Sequence, residues 1–203
     1  TFEVGDISTE ALLFQSGYLT IAHEKNLGGN LMFTLTYPNR EVRGALTSNV
    51  LGRWVKNPQK AAQSGFALYE ALEVNDFERI REIFFSLYAS IPHDWFRNNR
   101  IDEFEGYYAS VFYASFAALG LDIIPEDTSN HGRLDMAVKF NGQVYLFEFK
   151  VVEGEAEGKA LQQIKEKRYA DKYPAQNQPV HLIGVEFSKK KRNVVGFAVE
   201  SLG

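Results

Sequence analysis

Two carboxylates and a lysine, predicted to meet on one face of a β-hairpin, are the residues of this sequence best placed to do chemistry. They lie in the stretch GRLDMAVKFNGQVYLFEFK, residues 132–150. The Asn-Gly pair in its middle is typical of a two-residue type I′ hairpin loop. That loop places Asp135 directly opposite Glu148, and because side chains alternate along a strand, Lys150 lies on the same face. The sequence therefore predicts a cluster of two acids and one ammonium group.

The two faces of this predicted hairpin differ in character. Arg133 lies opposite Lys150 and completes the polar face, with Ala137 and Leu146 beyond the charged residues. The other face is apolar and aromatic, as a buried sheet face requires. Its residues are Leu134, Met136, Val138, Tyr145, Phe147 and Phe149. The hairpin is therefore predicted to pack on the core through one face and to carry the charged cluster on the other.

Two carboxylates placed opposite each other repel, and something must offset this repulsion. A divalent cation with hard oxygen ligands would do so. A raised pKa of one acid, or neutralisation by Arg133 and Lys150, would also do so. Arg133 could equally contact a phosphate group or balance the acids. The hairpin by itself leaves these alternatives open.

An acid on one strand followed by Glu-x-Lys on the next resembles the PD-(D/E)XK nuclease superfamily. The residues that carry the resemblance are Gly132-Arg-Leu-Asp135 and Glu148-Phe-Lys150. The segment LQQIKEKRYADKY, residues 161–173, resembles one branch of that superfamily, the nuclease domain fused behind an AAA-ATPase-like domain in many bacterial proteins. Glu105-Gly-Tyr-Tyr is similar to the glutamate motif on the first core helix of that branch. The resemblance extends over roughly residues 100–190.

The resemblance implies a metal-dependent nuclease that hydrolyses phosphodiester bonds, with DNA as the substrate. Asp135, Glu148 and the carbonyl of Phe149 would hold Mg²⁺ or Mn²⁺, and Lys150 would act beside the attacking water. Glu105, on the first core helix, would join the catalytic residues by adding a metal ligand or positioning a second ion. The residues implied in substrate binding are Gln163, Arg133, Lys167 and Tyr169. The alternative is a catalytically inactive module of the same fold that binds nucleic acid or a protein partner.

The predicted elements of the second half of the chain follow the plan of that superfamily. Their order is helix, strand, hairpin, helix and two strands, over residues 102–119, 121–125, 132–150, 159–173, 180–187 and 193–200. Residues 126–131 are predicted to form a polar loop. The expected fold is a mixed α/β, restriction-endonuclease-like αβββαβ core with a mixed sheet.

A mainly helical, winged-helix-like module is predicted ahead of this core. We expect it to span residues 1–95 and the nuclease-like domain to span residues 96–203. Its elements are a short helix, a hairpin and three helices, over residues 8–17, 18–37, 42–55, 59–72 and 76–89. Because lysine and arginine are sparse in its first part, a role in packing or in linking an ATPase-like domain to the nuclease-like domain is favoured over DNA binding.

The composition limits the classes of function. Of the 203 residues, 45% are hydrophobic and 24% charged, which is typical of a soluble globular protein. The net charge of −4 would repel nucleic acid over the surface as a whole, so DNA binding needs a local basic patch. The absence of cysteine excludes disulfides and cysteine-based zinc sites, and fits a reducing cytoplasm.

The hydropathy of the sequence and its first residue indicate whether membrane segments, a signal peptide or further domains are expected. No apolar run approaches the ~18 residues that a membrane helix needs, and no signal peptide is visible. The chain does not begin with methionine, so we expect it to be part of a longer protein that includes the ATPase-like domain. Its oligomeric state has no signature in the sequence.

Three further features are predicted to have no part in catalysis. The segment from Gly154 to Ala160 superficially suggests a phosphate loop, but it has one residue too few between the glycines and lacks the final hydroxyl residue. It is predicted to be a turn that enters a helix. The basic run Lys189–Arg192 is predicted to be a solvated hairpin turn. His131 has no second histidine or cysteine at metal-binding spacing and is not assigned as a ligand.

Overall fold

A computed structural model describes residues 9–55, 58–92, 105–173 and 178–202 of the chain. Within these ranges the helices are α1 (Thr9–Gln15), α2 (Arg40–Val55), α3 (Pro58–Glu73), α4 (Phe77–Ala89), α5 (Glu105–Ala118) and α6 (Lys159–Glu166). The strands are β1 (Thr20–Leu27), β2 (Asn30–Thr36), β3 (Asp122–Ser129), β4 (Gly132–Phe140), β5 (Gln143–Val152), β6 (Val180–Ser188) and β7 (Asn193–Leu202). A 3₁₀ turn, Tyr169–Lys172, follows α6.

A five-stranded mixed sheet in the order β3-β4-β5-β6-β7 forms the centre of the fold. Strands β5 and β6 are parallel, whereas the other neighbouring pairs are antiparallel. Helix α6 supplies the crossover that a parallel pair requires. The predicted mixed α/β class is confirmed, because the order α5-β3-β4-β5-α6-β6 is the αβββαβ plan, with β7 added at the edge.

Buried side chains form two clusters, one on each face of this sheet. In the larger cluster, Phe112 of α5 stacks on Phe84 of α4, with 3.5 Å between the ring centroids. The same Phe112 lies 5.1 Å from the ring of Phe149 on β5. The smaller cluster packs Ile164 of α6 against Leu146 of β5. Helices α5 and α6 are thus held against opposite faces of the sheet.

Helices α2, α3 and α4 share the larger cluster with α5 and the sheet. Leu51, Leu68 and Phe84 are each buried there, one from each of the three helices. The predicted domain boundary falls within residues 93–104, which lie outside the described part of the chain, as do residue 8 of the first predicted helix and residues 102–104 of the helix predicted over residues 102–119. The division at residue 95 and the winged-helix-like character of the first module remain predictions.

The predicted polar loop over residues 126–131 is wrong. Strand β3 continues to Ser129, which pairs with Gly132, so that only residues 130 and 131 form the turn. The polar sequence is stable in a strand because its carboxylate at Asp127 is buried with partners. Tyr173 donates to Asp127 at 2.8 Å, and the ammonium of Lys172 forms an ion pair with it.

The predicted helix over residues 159–173 is too long. Helix α6 ends at Glu166, and Arg168 has a φ of +49°, a left-handed conformation that stops an α-helix. The chain then turns into the 3₁₀ segment, where the hydroxyl of Tyr169 donates to the carbonyl of Arg133 at 2.9 Å. The break therefore brings Tyr169 against β4, which a continuous helix would not do.

The basic run at Lys189–Arg192 forms the β6–β7 turn, as predicted. The amide of Arg192 donates to the carbonyl of Ser188 at 2.7 Å. Two acids of the loop between β5 and α6 balance the charge of this turn, since Lys189 pairs with Glu153 and Lys191 pairs with Glu155. Among the described helices, none is long and apolar enough to cross a membrane.

Candidate active site

The predicted hairpin between β4 and β5 is confirmed, with the predicted register as far as Met136 and Phe147, but the predicted pairs of Asp135 with Glu148 and of Arg133 with Lys150 are not part of the ladder. Asn141 and Gly142 have φ values of +48° and +72°, which is the conformation of a type I′ loop. Regular pairing runs from Phe140 with Gln143 to Met136 with Phe147 and then stops. Asp135 and Glu148 are the next positions along the two strands, so the acids lie where the ladder ends.

Where the backbone pairing of β4 and β5 stops, the side chain of Asp135 makes a hydrogen bond to the neighbouring strand. One carboxylate oxygen of Asp135 accepts a hydrogen bond from the backbone amide of Phe149 at 2.8 Å. On the other neighbouring strand, Glu126 has a φ of +49°, so β3 is irregular at the same level. The strict alternation of β4 is lost there. Leu134, predicted on the face of Met136, instead lies in the cluster beneath α6.

Glu148 is the most deeply buried acid of the site, with 1% of its surface exposed. Its Oε1 atom accepts from the ammonium of Lys150 at 3.1 Å and from the side-chain amide of Gln163. Its Oε2 atom is buried and has no hydrogen-bond partner among the described residues. A buried carboxylate oxygen without a partner is costly unless a cation or proton satisfies it.

The ammonium of Lys150 lies among three oxygen atoms. It is 2.9 Å from the carbonyl of Phe149, 3.1 Å from Glu148 and 3.5 Å from the carboxylate of Glu105. Glu105 is the first described residue of α5, so this contact joins the helix to the site. The predicted catalytic residues Asp135, Glu148, Lys150 and Glu105 are thus close together in space.

Burial sets the pKa values of this cluster. Burial, reinforced by the nearby Asp135 carboxylate and opposed by Lys150, raises the pKa of Glu148 to about 7. Burial also raises the pKa values of Asp135 and Glu105. Burial alone would lower the pKa of Lys150, but the carboxylates outweigh it and the pKa rises. Near neutral pH the site therefore holds a charged lysine and a partly protonated Glu148.

Comparison with known proteins finds a family to which this region is similar. Residues 103–197 match the PD-(D/E)XK nuclease superfamily. The match includes every residue of the site described above. Across its full length the chain is 57% identical, over 202 residues, to the "Uncharacterized protein in vnfD 5′region" of Azotobacter chroococcum mcd 1. The chain spans 39% of the length of that relative.

The donor set fits the divalent metal that PD-(D/E)XK nucleases generally use. The free buried oxygen of Glu148, the Asp135 carboxylate and the Phe149 carbonyl are hard oxygen donors of the kind that Mg²⁺ and Mn²⁺ prefer. In the described ranges, no cluster of three or more metal-binding side chains occurs. Mg²⁺ needs only one or two protein carboxylates because it keeps several waters.

The four residues implied in substrate binding differ in their relation to the site. Gln163 contacts Glu148 directly, and Tyr169 is buried where it holds the backbone of β4. Arg133 is 62% exposed and pairs with Glu126 at 3.2 Å, so its guanidinium balances an acid outside the Asp135–Glu148 pair. Lys167 lies exposed just beyond α6. The structure thus brings Gln163 and Tyr169 to the site and leaves the two cations at the surface.

One residue near the site was missed by the sequence analysis. Glu186 lies on β6 beside Lys150 of β5 and is 2% exposed. The sequence feature that could have identified Glu186 is that it is the single acid in the strand VHLIGVEFS, whose other positions are nearly all apolar. A charged residue at a fully buried strand position requires partners, and its partners are described below.

We expect the affinity for Mn²⁺ to increase as the pH rises through about 7. The ion needs the carboxylate form of Glu148, whereas the acid form predominates below that pKa. Each unit of pH below 7 should therefore weaken the apparent affinity about tenfold, with a plateau above about pH 8. Isothermal titration calorimetry over this pH range measures the effect. Glu148→Gln serves as the control, because its side chain has no carboxyl group that titrates. Equal affinity at about pH 6 and pH 8 would contradict this prediction.

Proposed function

We propose that the region matching the PD-(D/E)XK superfamily is a metal-dependent nuclease that hydrolyses phosphodiester bonds in DNA. The observation that carries the proposal is the buried free oxygen of Glu148, next to Asp135 and to the ammonium of Lys150. This is a site for a hard cation with a second positive group beside it, which is the arrangement that phosphodiester hydrolysis uses.

Each residue of the cluster has its own role in the proposed reaction. A bound Mg²⁺ or Mn²⁺ would neutralise charge on the phosphate and lower the pKa of a coordinated water. Asp135 and Glu148 would hold the ion, with Asp135 fixed by the Phe149 amide and Glu148 oriented by Gln163. Lys150 would neutralise the negative charge that develops on the phosphoryl oxygens. Glu105 would keep that ammonium next to the acids.

Contacts to the DNA backbone are proposed for the exposed cations near this site. Arg133 and Lys167 are both exposed; Arg133 lies two residues before Asp135, and Lys167 lies four residues after Gln163, just beyond α6. With a net charge of −4, the chain offers little attraction over its whole surface, so binding should depend on these local charges. Phosphate contacts of this kind position the strand without selecting its sequence.

The test is incubation of the purified protein with supercoiled, linear duplex and single-stranded DNA in Mg²⁺, Mn²⁺, Ca²⁺ or EDTA. We expect cleavage with Mg²⁺ or Mn²⁺ and none with EDTA. An Asp135→Asn preparation, purified in parallel, controls for contaminating nucleases. Metal-dependent DNA binding without cleavage of any substrate would contradict the proposed activity and favour a module of this fold that only binds.

We also propose that the chain is part of a longer, ATPase-linked protein, with residues 1–95 as the connecting module. The relative from Azotobacter is longer than the aligned region, which covers 39% of it. The hairpin of β1 and β2 supports a contact with another part of such a protein, because it exposes Leu31 and Met32 to 55% and 57%. A two-stranded hairpin is only marginally stable by itself and normally needs packing on one face.

A further inference from the structure

The carboxylate of Glu186 is hydrogen-bonded to the backbone at the start of α6. It accepts from the amides of Gly158 at 3.0 Å and Ala160 at 3.2 Å, and also from the amide of Glu157. Glu186 lies on β6, in a separate part of the sequence. The loop that superficially suggested a phosphate-binding motif therefore directs its amides at a carboxylate of the chain itself.

Helix α6 has no cap of its own. Its N-cap residue is Gly158, with a φ of +74°, and no local side chain of the described chain bonds to the first turn. The first amides of a helix have no partners within the helix and carry a partial positive charge. Burial would raise the pKa of Glu186, but these backbone hydrogen bonds together hold it below its ordinary value. The carboxylate thus remains ionised at neutral pH and supplies the missing cap.

Close packing fixes the start of α6 on the same strand. A Cβ atom added at Gly184, two residues before Glu186, would lie 2.2 Å from the backbone nitrogen of Leu161. At Gly196 on β7, an added Cβ would lie 3.0 Å from Ala156 in the loop. The helix start therefore touches β6 at the backbone, and the capping carboxylate lies next to that contact.

This anchor is adjacent to the proposed catalytic cluster. In the parallel pairing of β5 and β6, Gly184 pairs with Glu148, and Glu186 pairs with Lys150. Gln163 lies three residues after Ala160 on α6, and its side chain donates to Glu148. Any shift of the helix start away from β6 moves Gln163 relative to the Glu148 carboxylate.

We propose that Glu186 is a positioning residue of the nuclease site: it caps α6 from the neighbouring strand and thereby holds Gln163 on Glu148. The catalytic consequence rests on the proposed function, whereas the capping itself does not. Outer partners that orient a metal ligand commonly affect activity by about 10- to 100-fold. Glu186 acts one step further out, through the helix that carries Gln163.

The test is Glu186→Gln, which keeps the size of the side chain but turns an amide donor toward the backbone amides. We expect kcat to fall about tenfold or more, with the KM for DNA within about twofold. In the Gln163→Leu background the same change should have little further effect, because the contact that it positions is already gone. Glu153→Gln, which alters an exposed acid paired with Lys189, is the control and should be unchanged.

Three results would overturn the proposal. They are wild-type kcat in Glu186→Gln, losses that multiply in the double variant, and unchanged hydrogen exchange at the amides of Gly158 and Ala160. The exchange measurement needs no activity, so it tests the cap even if the protein cleaves no DNA. If Glu186→Gln does not fold, Glu186→Asp takes its place, since it keeps the charge. Its smaller loss must likewise disappear in the Gln163→Leu background.

Discussion

Replacing Glu148 with alanine is expected to abolish metal-dependent cleavage, lowering kcat by about 10³-fold or more while the protein stays folded. The change removes a carboxylate that combines a buried free oxygen with contacts to both Lys150 and Gln163. Without it, the proposed ion loses a ligand and the ammonium loses its partner. Cleavage of plasmid DNA in Mg²⁺ and in Mn²⁺ measures the effect, with circular dichroism as the check on folding.

The free energy of unfolding of Glu148 variants distinguishes a catalytic role of this residue from a structural one. The pKa of Glu148 is raised to about 7, so its contribution to folding is present at low pH and is lost as the pH rises through that value. Without metal, above about pH 7, Glu148→Gln should therefore be more stable than the wild type, by on the order of 2 kcal/mol. It should still be inactive. Full cleavage by either Glu148 variant would refute the assignment.

A matched control for these variants is the exposed acid at Glu153. It lies just after β5 and pairs with Lys189 at the surface. Glu153→Ala removes one negative charge from the same part of the chain without touching the cluster. We expect it to cleave DNA like the wild type, which would show that the effect at Glu148 is not one of net charge.

The hairpin at the centre of the site was predictable because its information is local. The Asn-Gly loop sets the register, and the register alone places Asp135 next to Glu148 at the end of the ladder. Apolar residues spaced three and four apart in residues 107–119 likewise predict a helix with a buried face, and the structure buries Tyr108 and Phe112 of α5. In each case the pattern repeats over enough residues for one face to be distinguished from the other.

The errors lie where distant contacts decide the local structure. Residues 126–129 are polar, yet they form a strand because Tyr173 and Lys172 satisfy Asp127. The end of α6 depends on the left-handed backbone at Arg168. Arginine rarely adopts this conformation, so the residue type gives no indication of it. Leu134 lies on the face opposite to the predicted one, next to the point where the side chain of Asp135 bonds to the Phe149 amide. Such contacts join residues far apart in sequence, so periodicity cannot reveal them.

The ammonium of Lys150 lies against oxygen atoms that are also proposed to hold the metal. Its ammonium contacts the carbonyl of Phe149 and Oε1 of Glu148, two of the three groups proposed to hold the metal. A divalent ion close to these oxygens would repel the ammonium, because like charges a few ångströms apart interact strongly in a buried site. An ion bound at these oxygens would therefore be expected to displace the Lys150 ammonium.

Lys150→Met should consequently have opposite effects on catalysis and on metal binding. We expect cleavage to fall about 10³-fold or more, because the ammonium proposed to neutralise the negative charge that develops on the phosphoryl oxygens is gone. At about pH 8.5 we expect Mg²⁺ to bind about tenfold more tightly, since the competing charge is gone. Near pH 6.5 this gain should disappear, because removing the ammonium also raises the pKa of Glu148 and leaves it protonated. Calorimetric titrations at both values measure the difference.

Lys150→Arg is the matched control, since it keeps the charge and changes the shape of the cation. Its Mg²⁺ affinity at about pH 8.5 should not exceed that of the wild type, and its cleavage should be weak, because a planar guanidinium cannot replace the compact ammonium among three oxygens. If Lys150→Met instead binds Mg²⁺ more weakly than the wild type at that pH, the ammonium does not compete with the ion. The metal would then bind away from the Phe149 carbonyl and Glu148, and the proposed ligand set would be incorrect.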